Sequence, residues 1–203
     1  NVLYANGGAK FVDAKLIPAG LDDEGILAPP PGVAGWHDEK GWPMPGFPGA
    51  AILAGLVGGL AFLAVVYMGL GIGMTRMNFL PILGTMMTPK ASRGTTYGIG
   101  FVVHMMLSAI FGLVYAGILT ALDVASVGSA GGWGALLGTL HGAGALIVMP
   151  MMLAMAHPHV RTGDLERPRA LMTGFGSMTP VGSVAAHVVF GLVVGSIYAG
   201  IVL

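Results

Sequence analysis

The sequence contains very little charge, since only 9% of its 203 residues are Asp, Glu, Lys or Arg. Soluble domains carry about 25% of such residues. In their place stand hydrophobic residues, which make up 55% of the chain and give a mean hydropathy of +0.81. This composition indicates an integral membrane protein. The formal net charge is zero, so no basic excess favours binding to nucleic acid.

Cysteine is absent, which excludes disulfides and thiolate metal ligands. The chain also lacks paired carboxylates, a nucleophile triad, a phosphate loop and the ligand spacing of a zinc site. We therefore expect a protein that is not an enzyme. The first residue is Asn rather than Met, which leaves open the removal of a signal peptide.

Residues 1–48 differ in composition from the rest. They include the run Pro29-Pro30-Pro31, and proline fixes φ and removes a backbone donor, so the segment is predicted to be extended. The segment contains more apolar residues, such as Phe11 and Trp36, than disordered chains usually do. A floppy tail and an arm that lies on a partner both fit, and we expect the arm. Six of the nine acidic residues lie here: Asp13, Asp22, Asp23, Glu24, Asp38 and Glu39.

Four apolar segments follow, at about residues 50–74, 98–122, 133–155 and 181–202. Each is as long as the roughly 20 residues that cross a bilayer core. Helices satisfy their own backbone groups, as lipid requires. We predict an all-α membrane protein with four transmembrane helices, preceded by an extended extramembrane arm.

The segments also predict a duplication. Ala51 aligns with Ala135, and Gly84-Thr-Met-Met-Thr-Pro89 resembles Gly176-Ser-Met-Thr-Pro180. Each copy holds two spans, so both enter the membrane from the same side, as a parallel repeat with a pseudo-twofold axis. The predicted units are residues 49–122 and 123–203. Two stripes of residues spaced by four also match each other, each with one histidine among small residues. The first is Gly100, His104, Ser108, Gly112 and Ala116, and the second is Ser183, His187, Gly191, Gly195 and Ala199.

Basic residues predict the orientation. The loops after spans one and three contain all six basic residues beyond position 48, whereas the loop between spans two and three contains only Asp123. Under the positive-inside rule both basic loops are cytoplasmic, and both termini are extracytoplasmic.

Glycine spacing predicts close helix packing. Lipid offers helices no hydrophobic reason to associate, so small residues that allow close backbone approach dominate their contacts. The chain has 35 glycines, and packing is their favoured role. The predicted packing residues are Gly112, Gly134, Gly138, Gly142, Gly191 and Gly195.

Histidines within the spans are the candidate functional residues, because polar groups at that depth usually face the interior. His104 and His187 are predicted at matching depth and could ligate a haem or a chlorophyll-type pigment. Gly100 and Ser183, four residues earlier, would let a macrocycle lie flat. The favoured alternative is that each imidazole hydrogen-bonds across the bundle. His141 has no counterpart in the first unit.

Sulfur and imidazole together suit Cu(I), so Met151, Met155, His157 and His159 form a second, weaker metal hypothesis. Methionine as adaptable apolar filler is the preferred interpretation.

Residues 50–203 resemble small bacterial multi-helix membrane proteins of unknown function. The resemblance rests on the segments 77–86, 100–104 and 112–117. The resemblance implies a polytopic bacterial protein of the inner membrane. It indicates no particular activity. We expect an accessory or structural subunit of a larger membrane complex, with other integral membrane subunits and the bilayer as partners. The alternatives are a tetrapyrrole-binding electron-transfer or pigment subunit, and a small transporter or channel.

Overall fold

The computed structural model describes residues 2–5, 8–11 and 47–203. Strands β1 (Val2–Ala5) and β2 (Gly8–Phe11) pair antiparallel, with Val2 opposite Phe11. Most of the predicted arm lies outside the described residues, so the arm stays a prediction. Residues 47–203 belong to one compact unit.

Helices make up this unit, and four of them are long and apolar enough to cross a membrane. Within residues 47–203, the prediction of an all-helical fold with four such helices is confirmed. The helices are α1 (Phe47–Gly71), α2 (Phe79–Met87), α3 (Arg93–Ala121), α4 (Val127–Ala156), α5 (Pro158–Thr162) and α6 (Thr179–Val202), with a 3-10 segment at Ala170–Phe175.

All four long helices begin earlier than their apolar segments, and α3 and α4 do so by five and six residues. The Ser92 side chain accepts a hydrogen bond from the Thr95 backbone N–H, and Ser126 does the same for Ser129. These N-caps satisfy donors that a helix start leaves unpaired. The first turns are polar, so hydrophobicity alone does not detect them.

The loop after α1 contains a helix that lies outside the four predicted apolar segments. Helix α2 packs on the start of α3, and its backbone at Leu80 covers Gly100. Gly84 of α2 lies in turn against the Thr96 carbonyl. A side chain at either glycine would collide with backbone, so these glycines hold α2 against α3.

Helices α1 and α6 form the centre of the bundle, with α3 and α4 outside them. In the most apolar window of each span, 44% of α1 and 39% of α6 is buried, against 33% of α3 and 22% of α4. Phe190 and Val194 of α6 pack against Gly58 of α1. Helix α4 packs mainly on α6 and is the least covered span.

The two long loops contact each other at one end of the bundle. The Arg76 N–H donates to the Phe175 carbonyl at 2.7 Å, and the hydroxyls of Thr75 and Thr179 lie 2.8 Å apart. The Arg76 guanidinium also pairs with Glu166 at 3.1 Å. That ion pair is exposed and adds little stability, so the backbone and threonine bonds are the main polar connection.

The two helical hairpins, α1–α3 and α4–α6, both pack through glycine but in different registers. Gly112 lies against Ala51 in the first hairpin. The alignment equates these residues with Gly195 and Ala135, yet Gly195 lies against Ala130. The displacement of five residues exceeds one helical turn. The duplication therefore stays a prediction.

Candidate functional site

The three histidines of the membrane helices lie in one cluster with aromatic rings, which we call the histidine–aromatic cluster. It consists of His104, His141, His187, Phe62, Phe79, Phe111, Tyr115 and Phe190. The His141 and His187 rings are 4.7 Å apart, centroid to centroid, in an edge-on arrangement. Helices α1, α3, α4 and α6 all contribute, so the cluster joins the four spans.

His104 is 6% exposed and bonds to a neighbouring helix. Its Nε2–H donates to the Gly59 carbonyl of α1 at 3.0 Å. Gly59 permits this approach, because a side chain there would collide with Ser108, one turn beyond the histidine. Ser108 donates in turn to the His104 carbonyl at 2.8 Å. The imidazole thus connects α3 to α1.

His187 bonds within its own helix. Its Nδ1–H donates to the Ser183 carbonyl at 2.7 Å. The Nδ1 atom of His141 lies 3.3 Å from the Tyr115 hydroxyl, across α4 and α3. His104 thus bonds to a neighbouring helix and His187 to its own helix, which agrees with the different registers of the two hairpins. In the second hairpin, His187 lies against Gly138 and Gly142 of α4.

A macrocycle ligated by both His104 and His187 does not fit this arrangement. The Phe62 ring contacts both imidazoles, with centroids 5.2 Å from His104 and 4.9 Å from His187. The face of Gly100, where a ring was predicted to lie, is covered by Leu80 of α2. At the other predicted position, the Ser183 carbonyl accepts a hydrogen bond from the His187 ring, so this ring nitrogen is already occupied.

Two small cavities adjoin the cluster. One, of about 120 Å³, is lined by all three histidines, and the other, of about 80 Å³, lies toward the loop end and shares His187. Sites for cofactors and drug-sized ligands are usually about 300–1,000 Å³, so both are too small for a tetrapyrrole. No carboxylate, lysine or arginine lines either cavity, and in residues 47–203 no three His, Asp or Glu side chains converge as metal ligands.

The six predicted packing glycines all lie at contacts between helices. Gly112 faces Ala51 and Gly55, and Gly134 and Gly191 face each other's carbonyl groups. Gly138 and Gly142 lie against His187, and Gly195 lies against Ala130. At five of these positions a β-carbon would collide with the backbone of another helix, and at Gly142 it would lie in tight contact, 3.1 Å from the nearest atom of α6. The glycines thus allow the spacing at which His104 and His187 are enclosed.

The residues of the copper hypothesis are not brought together. Met151 and Met155 are 60% and 74% exposed on the outer surface of α4. His157 is fully buried on the other side, and its Nε2–H donates to the Ile82 carbonyl of α2 at 3.0 Å. His159 lies near the surface, with Nε2 2.9 Å from the Pro89 carbonyl.

His157 is the polar contact that sequence reasoning missed. It ends α4 and bonds to α2, with the Thr85 hydroxyl 3.1 Å from Nε2. Burial lowers the pKa of this imidazole; the bond to Ile82 raises it, and nearby His159 lowers it further. The ring is therefore neutral at pH 7, and its Nδ1 has no hydrogen-bond partner among the described residues. No signal in the sequence identifies a partner 75 residues away.

Searches of protein-family profiles, curated proteins and solved structures find no match to this chain.

Proposed function

We propose that this protein is a non-catalytic accessory or structural subunit of a larger membrane complex, docked through its helices and its N-terminal arm. The observation that carries the proposal is the outer face of α4. This span is only 22% buried in its most apolar window. Large apolar residues would be enough for contact with lipid, yet some of its exposed residues are small.

Large apolar residues such as Leu136, Leu140 and Met151 are exposed on this helix, and four small exposed residues lie beside them. We call the four the outer α4 stripe: Gly128, Gly132, Thr139 and Ala143. At 100° per residue they fall within about 60° of the helix circumference. Gly128 and Gly132 have no neighbouring atom within 4 Å of where a β-carbon would be. Two small-xxx-small pairs on one face are the pattern at which membrane helices approach closely.

The interior of the bundle supports the same conclusion. The histidine–aromatic cluster uses its imidazoles in hydrogen bonds between and within helices, and its cavities are too small for a pigment. The polar groups that sequence analysis offered for redox or transport thus have structural roles. What the chain presents to other molecules is its outer surface.

The experiment is native electrophoresis of the protein extracted with mild detergent from its own membranes. The double variant Gly132→Leu/Ala143→Leu adds bulk at two exposed positions of the outer α4 stripe. We expect wild type to migrate in a large complex and this variant to migrate alone. A photo-crosslinker placed at residue 132 should capture a different membrane protein.

The matched control is Gly117→Leu/Gly200→Leu. Both residues are exposed on membrane helices and, like Gly132, have no atom within 4 Å of the added β-carbon. This control should keep the complex, and both double variants should melt like wild type. A stripe variant that stays in the complex, or a cross-link only to a second copy of the chain, overturns the proposal.

The proposed location is the bacterial inner membrane, with the basic loops in the cytoplasm. The same strains test this if a reporter is fused after Arg93 and another at Leu203. Opposite compartments support the orientation, and a shared compartment contradicts it.

A further inference from the structure

A groove unrelated to the histidine–aromatic cluster lies at the loop end of α4, on its outer side. It has a volume of about 750 Å³. Its floor is apolar and comes largely from the last turns of α4, including Ile147, Pro150 and Met151. Its rim carries Arg161, Arg167 and Arg169. We propose that this groove, the arginine groove, binds one anionic phospholipid.

Charge is the first argument. The three arginines are exposed, and none forms an ion pair or a side-chain hydrogen bond with any described residue. The two acidic residues of the same loop are engaged elsewhere. Glu166 pairs with Arg76, and Asp164 accepts a hydrogen bond from Thr162 at 2.6 Å. The groove therefore has three positive charges and no acidic side chain in its lining.

The backbone of the loop holds two of these arginines in place. Pro168 is buried and its carbonyl accepts a hydrogen bond from the Gly174 N–H at 2.9 Å, so Arg167 and Arg169 extend from either side of an anchored residue. Arg169 and Leu171 adopt left-handed φ values of 51° and 52°. Such strain persists where surrounding structure imposes it, and it occurs often at binding sites.

The floor decides which anion the groove suits. Met151 is 60% exposed and Ile147 is 62% exposed, and both belong to a helix long and apolar enough to span the bilayer. An acyl chain fits beside them, whereas a soluble acidic peptide would leave this surface uncovered. Guanidinium groups bind phosphate oxygens in pairs, and basic sites at the end of membrane helices are where anionic head groups bind.

Native mass spectrometry of the delipidated full-length protein provides the test. Phosphatidylglycerol or phosphatidylcholine is added at equal concentration. We expect one phosphatidylglycerol per chain to be retained in preference to phosphatidylcholine. Arg161→Gln/Arg167→Gln should weaken this binding roughly 30-fold, at about fivefold for each basic residue near a charged surface.

The charge-matched control is Lys90→Gln/Arg93→Gln, which removes two exposed charges from the loop before α3. It should bind phosphatidylglycerol like wild type. Ala154→Trp fills the groove floor without changing charge, and it should also prevent lipid retention. Melting temperatures identify any variant that has not folded.

Three results overturn the proposal. The first is equal retention of the two lipids by wild type. The second is an equal loss in both double variants, which would indicate diffuse surface charge rather than a site. The third is complete displacement of the lipid by inorganic phosphate at low concentration, which would indicate an anion site without acyl contacts.

Discussion

At the scale of single residues, the histidines illustrate how far sequence reasoning extends. An imidazole facing lipid would leave its N–H unpaired at a cost of several kcal/mol, so the inward position of His104 and His187 was predictable. Their acceptors were not. His104 bonds to Gly59, 45 residues away, whereas His187 bonds to Ser183 on its own helix. The choice depends on helix register, which glycine spacing alone does not determine.

His157 gives a prediction of pH dependence at this scale. Burial keeps its imidazole neutral and its pKa below the ordinary value, so the folded state binds fewer protons than the unfolded state. The stability from this group is complete above the unfolded pKa of about 6.5 and declines as the pH falls below it. His157→Gln should cost about 1–3 kcal/mol at neutral pH.

Thermal melts at about pH 7.5 and about pH 5.5, either side of the unfolded pKa, provide the measurement. The wild-type melting temperature should fall more on acidification than that of His157→Gln. Met155→Gln, which changes a side chain that is 74% exposed two residues earlier, is the control and should respond to acidification like wild type. Equal falls in wild type and His157→Gln would show that His157 does not couple folding to pH.

At the scale of elements, apolar length predicted the four spans, and glycine spacing predicted contacts between helices. Helix α2 was not predicted, because nine residues with a proline inside do not stand out from an apolar loop. The arginine groove was not predicted either. It combines residues of α4 with residues of the loop some 20 positions later, and only the folded chain brings them together.

Gly191 and Gly117 offer a matched test of the packing account. Both are helical glycines, but a β-carbon at Gly191 would collide with the Gly134 backbone, whereas at Gly117 it would meet nothing within 4 Å. Gly191→Ala should destabilise the bundle by about 1–3 kcal/mol through overpacking. Gly117→Ala should be neutral or should stabilise the helix by up to about 1 kcal/mol.

Unfolding in detergent, followed by circular dichroism, measures both variants against wild type. The two substitutions should differ in the sign or in the size of their effect on the free energy of unfolding. If Gly191→Ala is as stable as Gly117→Ala, the α4–α6 contact is looser than the structure shows.

At the scale of the whole molecule, the central claim is that the polar interior holds the bundle together and does not carry a cofactor. Four spans meet at the histidine–aromatic cluster, and Phe62 occupies the space where a macrocycle between His104 and His187 would lie. The two surfaces proposed for contact with other molecules are the outer α4 stripe and the arginine groove. The stripe and the floor of the groove belong to α4, the span that the bundle covers least.

The most direct test is the absorption spectrum of the protein purified from its native membranes. The account predicts a colourless protein, with neither a Soret band nor a chlorophyll band, and it predicts that His187→Ala lowers the melting temperature without changing the visible spectrum. A stoichiometric tetrapyrrole band that disappears in His187→Ala would contradict it, because the histidine would then bind a pigment that the described interior has no room to hold.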